Sequence, residues 1–161
     1  YEKVHDKKTL CKDPHRSTDV HIFRDGSYGE ILIALRSVKV DNPGNWGSSA
    51  GGHVRWIDGR SEDPEEVAYM EASQELFNKK EGRQPGLTLE EIGSFEKHLR
   101  QHDHEFVYQF AGIHPGPFSP NDEVAEVRFI DINWLLKDVR ESPDIYSRSM
   151  GFVLAKLVNS L

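Results

Sequence analysis

The feature that most limits how this chain can fold is a helix that starts shortly after two adjacent glycines, Gly51-Gly52-His53-Val54. Asp63 is a strong N-cap and Pro64 suits the first helical position. Glu65 and Glu66 favour the positive end of the helix dipole. The spacing predicts a helix from Pro64 to Leu76, with Val67, Met70 and Leu76 on the side that packs against a sheet. Glu71 and Glu75 lie four residues apart on the other side, about 40° around the axis and about 6 Å along it. Gln74 is placed beside them. Two carboxylates and an amide can hold a hard divalent cation, and Mg²⁺ keeps waters that substrate phosphates can replace. An acidic helix face is also what an ordinary solvated surface looks like, and the helix alone does not choose. The glycines permit close backbone approach just ahead of it.

The rest of the chain reads as strands around this helix. Asp19 to Phe23 alternates, Asp25 to Gly29 turns, and Glu30 to Arg36 is apolar on both faces, which together predict a hairpin. Asn42 to Ser49 is rich in turn residues and delivers the chain to Gly51. Leu89, Ile92 and Phe95 keep helical spacing and predict a helix within Leu87–Leu99. Glu105–Ala111 and Val124–Ile130 are strands, separated by a proline-rich stretch that cannot pair centrally. Ile132–Leu136 opens a short helix and Ile145–Leu161 is an amphipathic terminal helix. Strands before and after a central helix, with a helix at the end, give an α/β sandwich with a mixed sheet.

At 161 residues the chain has the length of one domain, with a core over about 19–138 and a final helix over about 145–161. A net charge of −7 argues against a nucleic-acid polymer or an anionic membrane as partner. It does not exclude a phosphate substrate, because a bound metal supplies local positive charge. Cys11 is the only cysteine, which rules out an intrachain disulfide framework and fits a reducing cytoplasm.

Gly51-Gly52-His53-Val54, the Asp58-Gly59 turn and Glu66 to Leu76 together resemble a divergent box of the Nudix hydrolase superfamily. Glu71 and Glu75 fall on two of the box's acidic positions. Met70 stands in place of its Arg, Gln74 in place of a Glu and Phe77 in place of its closing Gly. Arg60 occupies the position of the first Glu, or Glu62 takes that role in a loop with four extra residues between Gly52 and Glu71. Pro43-Gly44-Asn45-Trp46 leading to Gly52-His53, the strand ending at Arg36-Ser37 and the strand Asp122–Ile130 are also similar to the family. His15-Arg16-Ser17 and the pair Arg36 and Lys39 resemble the branch of isopentenyl-diphosphate isomerase. That branch uses a loop Cys, and Ser48 to His53 contains none.

The resemblance implies a Nudix-type α/β/α sandwich with a mixed sheet, and Mg²⁺- or Mn²⁺-dependent hydrolysis of a small-molecule diphosphate such as a nucleoside diphosphate linked to a group X. It implies Glu71 and Glu75 as catalytic metal ligands, with Gln74, the Gly52 carbonyl and Asp103 as further ligands. Arg36 and Lys39 are candidates for the phosphates. Trp46, Trp56 and Phe118 are candidates for stacking on a base, or for packing. His102 and His104, at alternate positions, have the types and spacing to hold Zn²⁺ or to sit in an exposed loop. A catalytically impaired nucleotide-binding module is the main alternative, since the Arg and Gly that would position Glu71 are missing; a prenyl-diphosphate isomerase-like enzyme is the lesser one. A homodimer through a sheet edge or the terminal helix is compatible with the pattern.

Overall fold

The computed structural model describes residues 15–40, 43–100, 103–147 and 150–160, with the side chains of 99, 100, 103, 152 and 160 outside that description. The sheet is mixed, as the pattern predicts. β1 (His15–Phe23) runs parallel to β8 (Asp103–Ile113), and β8 pairs antiparallel with β7 (Leu89–Arg100). β2 (Glu30–Arg36) pairs antiparallel with β9 (Val124–Asp131). Among the described residues no helix is long and apolar enough to cross a membrane.

The predicted hairpin forms, but only at its closed end. β1 and β2 face each other at Phe23 and Ile31 and then part. The chain that follows fills the gap. β3 (Trp46–Gly47) takes the edge of β2, and β4 (Ala50–Val54) takes the edge of β1 from Val20 to Arg16. Ser49 sits at the fork, fully buried. The Ile22 amide donates to its hydroxyl at 2.9 Å, and the hydroxyl donates to the Leu32 carbonyl at 2.6 Å. Ile22 and Leu32 are one step along from the last β1–β2 pair, so the serine stands in for the ladder bond that the fork breaks.

Side chains alternate across this sheet and make two cores. One face carries Val20, Ile22, Leu32, Ala50 and Phe110 against α1 (Pro64–Phe77), which contributes Ala68, Tyr69, Ala72 and Leu76. Met70, expected in this core, is only half-buried. The other face carries Phe23, Ile31 and Ile33 against α2 (Ile132–Glu141) and α3 (Met150–Ser160), through Leu135, Met150, Leu154 and Leu157. The terminal helix is thus shorter than expected, and a 3₁₀ turn at Pro143–Ile145 precedes it.

The capping signals at Asp63 act as predicted: its carboxylate accepts the Glu65 amide at 2.8 Å. At the far end Asn78 turns left-handed at φ 52°, and its amide and that of Lys79 bond the carbonyls of Gln74 and Ser73. The amides of Ser119 and Asn121 satisfy the next two, on Leu76 and Glu75, at 2.9 and 3.1 Å. The predicted helix within 87–99 is instead the strand β7. Its register slips between Glu91 and Gly93, so Ile92 is an inserted residue. The insertion spaces Leu89, Ile92 and Phe95 by three and imitates a helix.

Ser49→Ala would leave the Ile22 amide and the Leu32 carbonyl buried and unpaired at the fork. The expected loss is about 2–3 kcal/mol of stability, read from the urea midpoint. A loss near zero would show that water or a backbone shift replaces the hydroxyl.

Candidate active site

β4 is glycine at two successive positions because its surroundings leave no room for a side chain. A Cβ on Gly51 would come within 2.6 Å of the Thr18 carbonyl oxygen of β1, and one on Gly52 would run into the Glu71 carboxylate of α1. The missing side chain at Gly52 lets the acidic face of the helix lie against a backbone. The Gly51 amide donates to Glu75 Oε2 at 3.2 Å. The Gly52 carbonyl accepts a long 3.4 Å bond from the Thr18 hydroxyl. One turn of α1 therefore places Glu71 and Glu75 together at its seam with β4.

The seam is partly buried and collects negative charge. Burial pushes the Glu71 carboxyl up to about 7, helped by Glu123 and Glu62 and opposed by Arg55. Burial pushes Glu75 further, to about 8, with Glu71 adding to it, the Gly51 amide opposing, Glu123 adding and Arg36 opposing. Two carboxylates whose burial disfavours their charge make a donor set of hard oxygens. A divalent cation at that point would offset both the repulsion and the lost hydration, so these residues fit Mg²⁺ or Mn²⁺.

The four extra residues before α1 have a definite form. β5 (Trp56–Ile57) and β6 (Arg60–Ser61) make a hairpin closed by Asp58 and Gly59 at φ 49° and 76°. Two successive positive φ values at Asp-Gly are the tight turn that suits twisted strands. The base of the hairpin is a fork. Arg55 Nε and Nη2 reach the Glu62 carboxylate at 3.1 and 2.9 Å, and the Arg55 amide adds a bond of 2.8 Å. Burial raises the Glu62 carboxyl, but these bonds outweigh it and hold it below its ordinary value. Arg55 was not among the residues singled out from the sequence. Its role comes from the inserted hairpin, which the family pattern does not contain.

Several expected ligands lie elsewhere. Gln74 lines a shallow depression with Glu66, Met70, Lys79 and Arg83, away from the carboxylate pair, because the helix turns it past their face. The side chain of Asp103 is outside the description. Its backbone opens β8 five residues before Tyr108, the strand neighbour of Thr18, so it lies about 16 Å along the sheet from the level of Gly52. Lys39 is exposed and paired with Asp122 at 2.7 Å. Trp46 packs on the opposite core, with the Arg128 guanidinium 4.7 Å from its ring centre. Phe118 is packed among Phe77, His114 and Phe129. Arg36 remains within electrostatic range of Glu75. Trp56, on the hairpin next to Arg55, is half exposed.

Two groups of imidazole and carboxylate side chains also occur among the described residues: His15, His53 and Glu105, and Glu96, His98 and His104. Neither contains Glu71 or Glu75. In the first, Glu105 is already held by Lys97 at 2.6 Å and by Ser17. His102, one of the predicted pair, lies outside the described residues.

Comparison with known proteins shows the family and the fold. A family profile described as the NUDIX domain matches residues 13–149. The fold is similar to that of DR0079 from Deinococcus radiodurans, with a TM-score of 0.70 and 17% identity over 88% of this chain and 82% of that one. It is similar to a C. elegans Ap4A hydrolase, solved as a binary complex, with a TM-score of 0.61 and 19% identity over 90% and 96%. It is also similar to the NUDIX domain of Shewanella oneidensis NrtR complexed with ADP ribose, with a TM-score of 0.60 and 14% identity over 99% and 93%. No curated protein matches the chain by sequence.

The seam has a consequence for stability. Glu75 goes from an ordinary value of 4.5 to about 8 on folding, so its charge costs stability as pH rises from about 4.5 through 8. Glu75→Gln is neutral throughout and keeps an acceptor for the Gly51 amide. In the presence of chelator it is expected to stabilise the protein at pH 8 by about 1–3 kcal/mol and to have little effect at pH 4.5. Urea unfolding at the two pH values checks this; an equal effect at both would contradict it.

Proposed function

The chain belongs to the Nudix family, and from that premise we propose that it is a pyrophosphohydrolase acting on a nucleoside diphosphate linked to a second group X. The observation that carries this reading is the Glu71–Glu75 pair at the β4–α1 seam, beside a backbone that only glycine permits. The Ap4A hydrolase and the ADP-ribose complex among the similar structures support the substrate class, since both ligands contain a phosphoanhydride bridge.

Glu71, Glu75 and the Gly52 carbonyl would hold Mg²⁺ or Mn²⁺. When bound, the ion polarises the phosphate and eases deprotonation of the attacking water. The protein's own part is positioning and proton handling. Glu75 is fixed by the Gly51 amide and serves as the anchor of the site. Glu71 lies over Gly52 beside the ion's place, where its carboxylate can orient the attacking water and take its proton. Arg36 faces the pair with positive charge and receives the phosphate whose bridge is cleaved. Water adds to one phosphorus, the bridging P–O bond breaks, and a monophosphate and X-phosphate leave.

Neither alternative gains from the geometry. The binding-only module rests on the missing Arg and Gly, yet β4 places both carboxylates without an Arg at Met70 or a Gly at Phe77. The prenyl-diphosphate branch rests partly on Lys39, which is paired with Asp122. Of the aromatic candidates, Trp56 takes over the stacking role, because Trp46 and Phe118 are spent on packing.

With Mg²⁺ and a panel that includes ADP-ribose and Ap4A, phosphate or monophosphate release is expected. Glu75→Gln and Glu71→Gln should each lower kcat at least about 100-fold. Unchanged turnover in either variant would end the assignment. Trp56→Ala is expected to raise KM about tenfold with kcat nearly unchanged. A fall in kcat alone would instead place the hairpin in the chemistry.

A further inference from the structure

The sheet carries a second arrangement of ligand atoms that the hydrolytic reading does not use. His98 on β7 and His104 on β8 are directly paired across the strands. Their rings stack with centroids 4.2 Å apart and planes 25° apart. Both turn Nε2 to the same oxygen, Glu96 Oε2, at 3.8 Å from His98 and 3.4 Å from His104. Glu96 and His98 are two apart on one strand and so share its face. We propose that Glu96, His98 and His104 form a site for a transition-metal dication of the Zn²⁺ class, separate from the diphosphate centre.

The spacing of the three ligand atoms suits an ion once the two imidazoles turn about their side-chain bonds, because planes 25° apart with centroids at 4.2 Å do not converge on one point as they stack. Metal–nitrogen and metal–oxygen bonds of about 2.0–2.2 Å in a tetrahedron separate neighbouring ligand atoms by about 3.4 Å. The two distances to Glu96 lie close to that spacing, and all three ligand atoms fall within 4.8 Å of one another. Imidazole nitrogen with one carboxylate oxygen is a donor set for Zn²⁺, Ni²⁺ or Co²⁺, whereas Mg²⁺ prefers oxygen alone. Lys97, between Glu96 and His98 in sequence, points to the opposite face and is bound to Glu105. Glu96 and His98 are more than half exposed and His104 about one-third, so an ion can enter from solvent and keep water in its fourth position.

The site is distinct from the catalytic seam. His104 lies four residues before Tyr108, and Tyr108 is two strands across from Gly52. That places the imidazoles roughly 15 Å from Gly52, too far for either set of ligands to share an ion with the other. The proposal therefore stands or falls independently of hydrolysis.

The test is Zn²⁺ titration of the full chain by calorimetry with excess Mg²⁺ present, and a parallel Co²⁺ titration read by visible absorption. One equivalent of Zn²⁺ is expected, with Co²⁺ bands of a four- or five-coordinate ion. His98→Ala and His104→Ala should each weaken binding at least about tenfold, without loss of fold by circular dichroism and with Mg²⁺-supported turnover retained. His98→Asn is the milder variant if His98→Ala perturbs the strand. Binding should persist in Glu71→Gln/Glu75→Gln and in His53→Ala. No binding to the unaltered chain, affinity in the His variants equal to that of the unaltered chain, or loss in His53→Ala instead would overturn the proposal.

Discussion

Everything in the catalytic face depends on a close approach between a charged helix and a bare backbone. α1 could pack on the sheet at a larger distance if β4 carried side chains. It packs where it does because Gly52 leaves room for the Glu71 side chain, while Gly51 lets β4 lie close to β1. The result is electrostatically unfavourable on its own: two carboxylates lose water, repel each other and gain one amide bond between them. A fold tolerates such strain at a place where something else will bind. Arg55 moderates the charge on Glu71 and Arg36 that on Glu75, each by electrostatic attraction.

The rigidity of that seam comes from outside it. β4 can lie beside β1 only because β1 and β2 separate after one pair, and Ser49 closes the point of separation with one hydroxyl used twice. At the other end of the site, Ser119 and Asn121 bond the last carbonyls of α1, which brings the loop leading to Glu123 against the helix. The acidic helix is thus held by its cap at Asp63, by β4 along its length and by this loop at its end.

Much of this was legible in the residues. Asp63-Pro64 announced the helix, the alternation in Val124–Ile130 announced β9, and the four-residue spacing of Glu71 and Glu75 announced a shared face. What was not legible depended on three-dimensional departures from local pattern. The bulge at Ile92 gave a strand the apolar spacing of a helix. Gln74 lies next to Glu75 in sequence, yet the helix carries it around to a depression shared with Arg83. Trp46 in its turn-rich loop reads as a residue for stacking or for packing, and only its pairing with Leu35 shows that it packs on the other core. Arg55 carried no signal, because its partner Glu62 becomes a neighbour only when the Asp58-Gly59 turn folds the insertion back.

The two cores meet the sheet from opposite sides and share no residue. The proposed metal ligands come from β4 and α1, while α2 and α3 lie behind the sheet. Substitutions that drift through Leu135, Met150 or Leu157 are thus screened by foldability and not by turnover. That reverse side is where this lineage has freedom to diversify without renegotiating its chemistry.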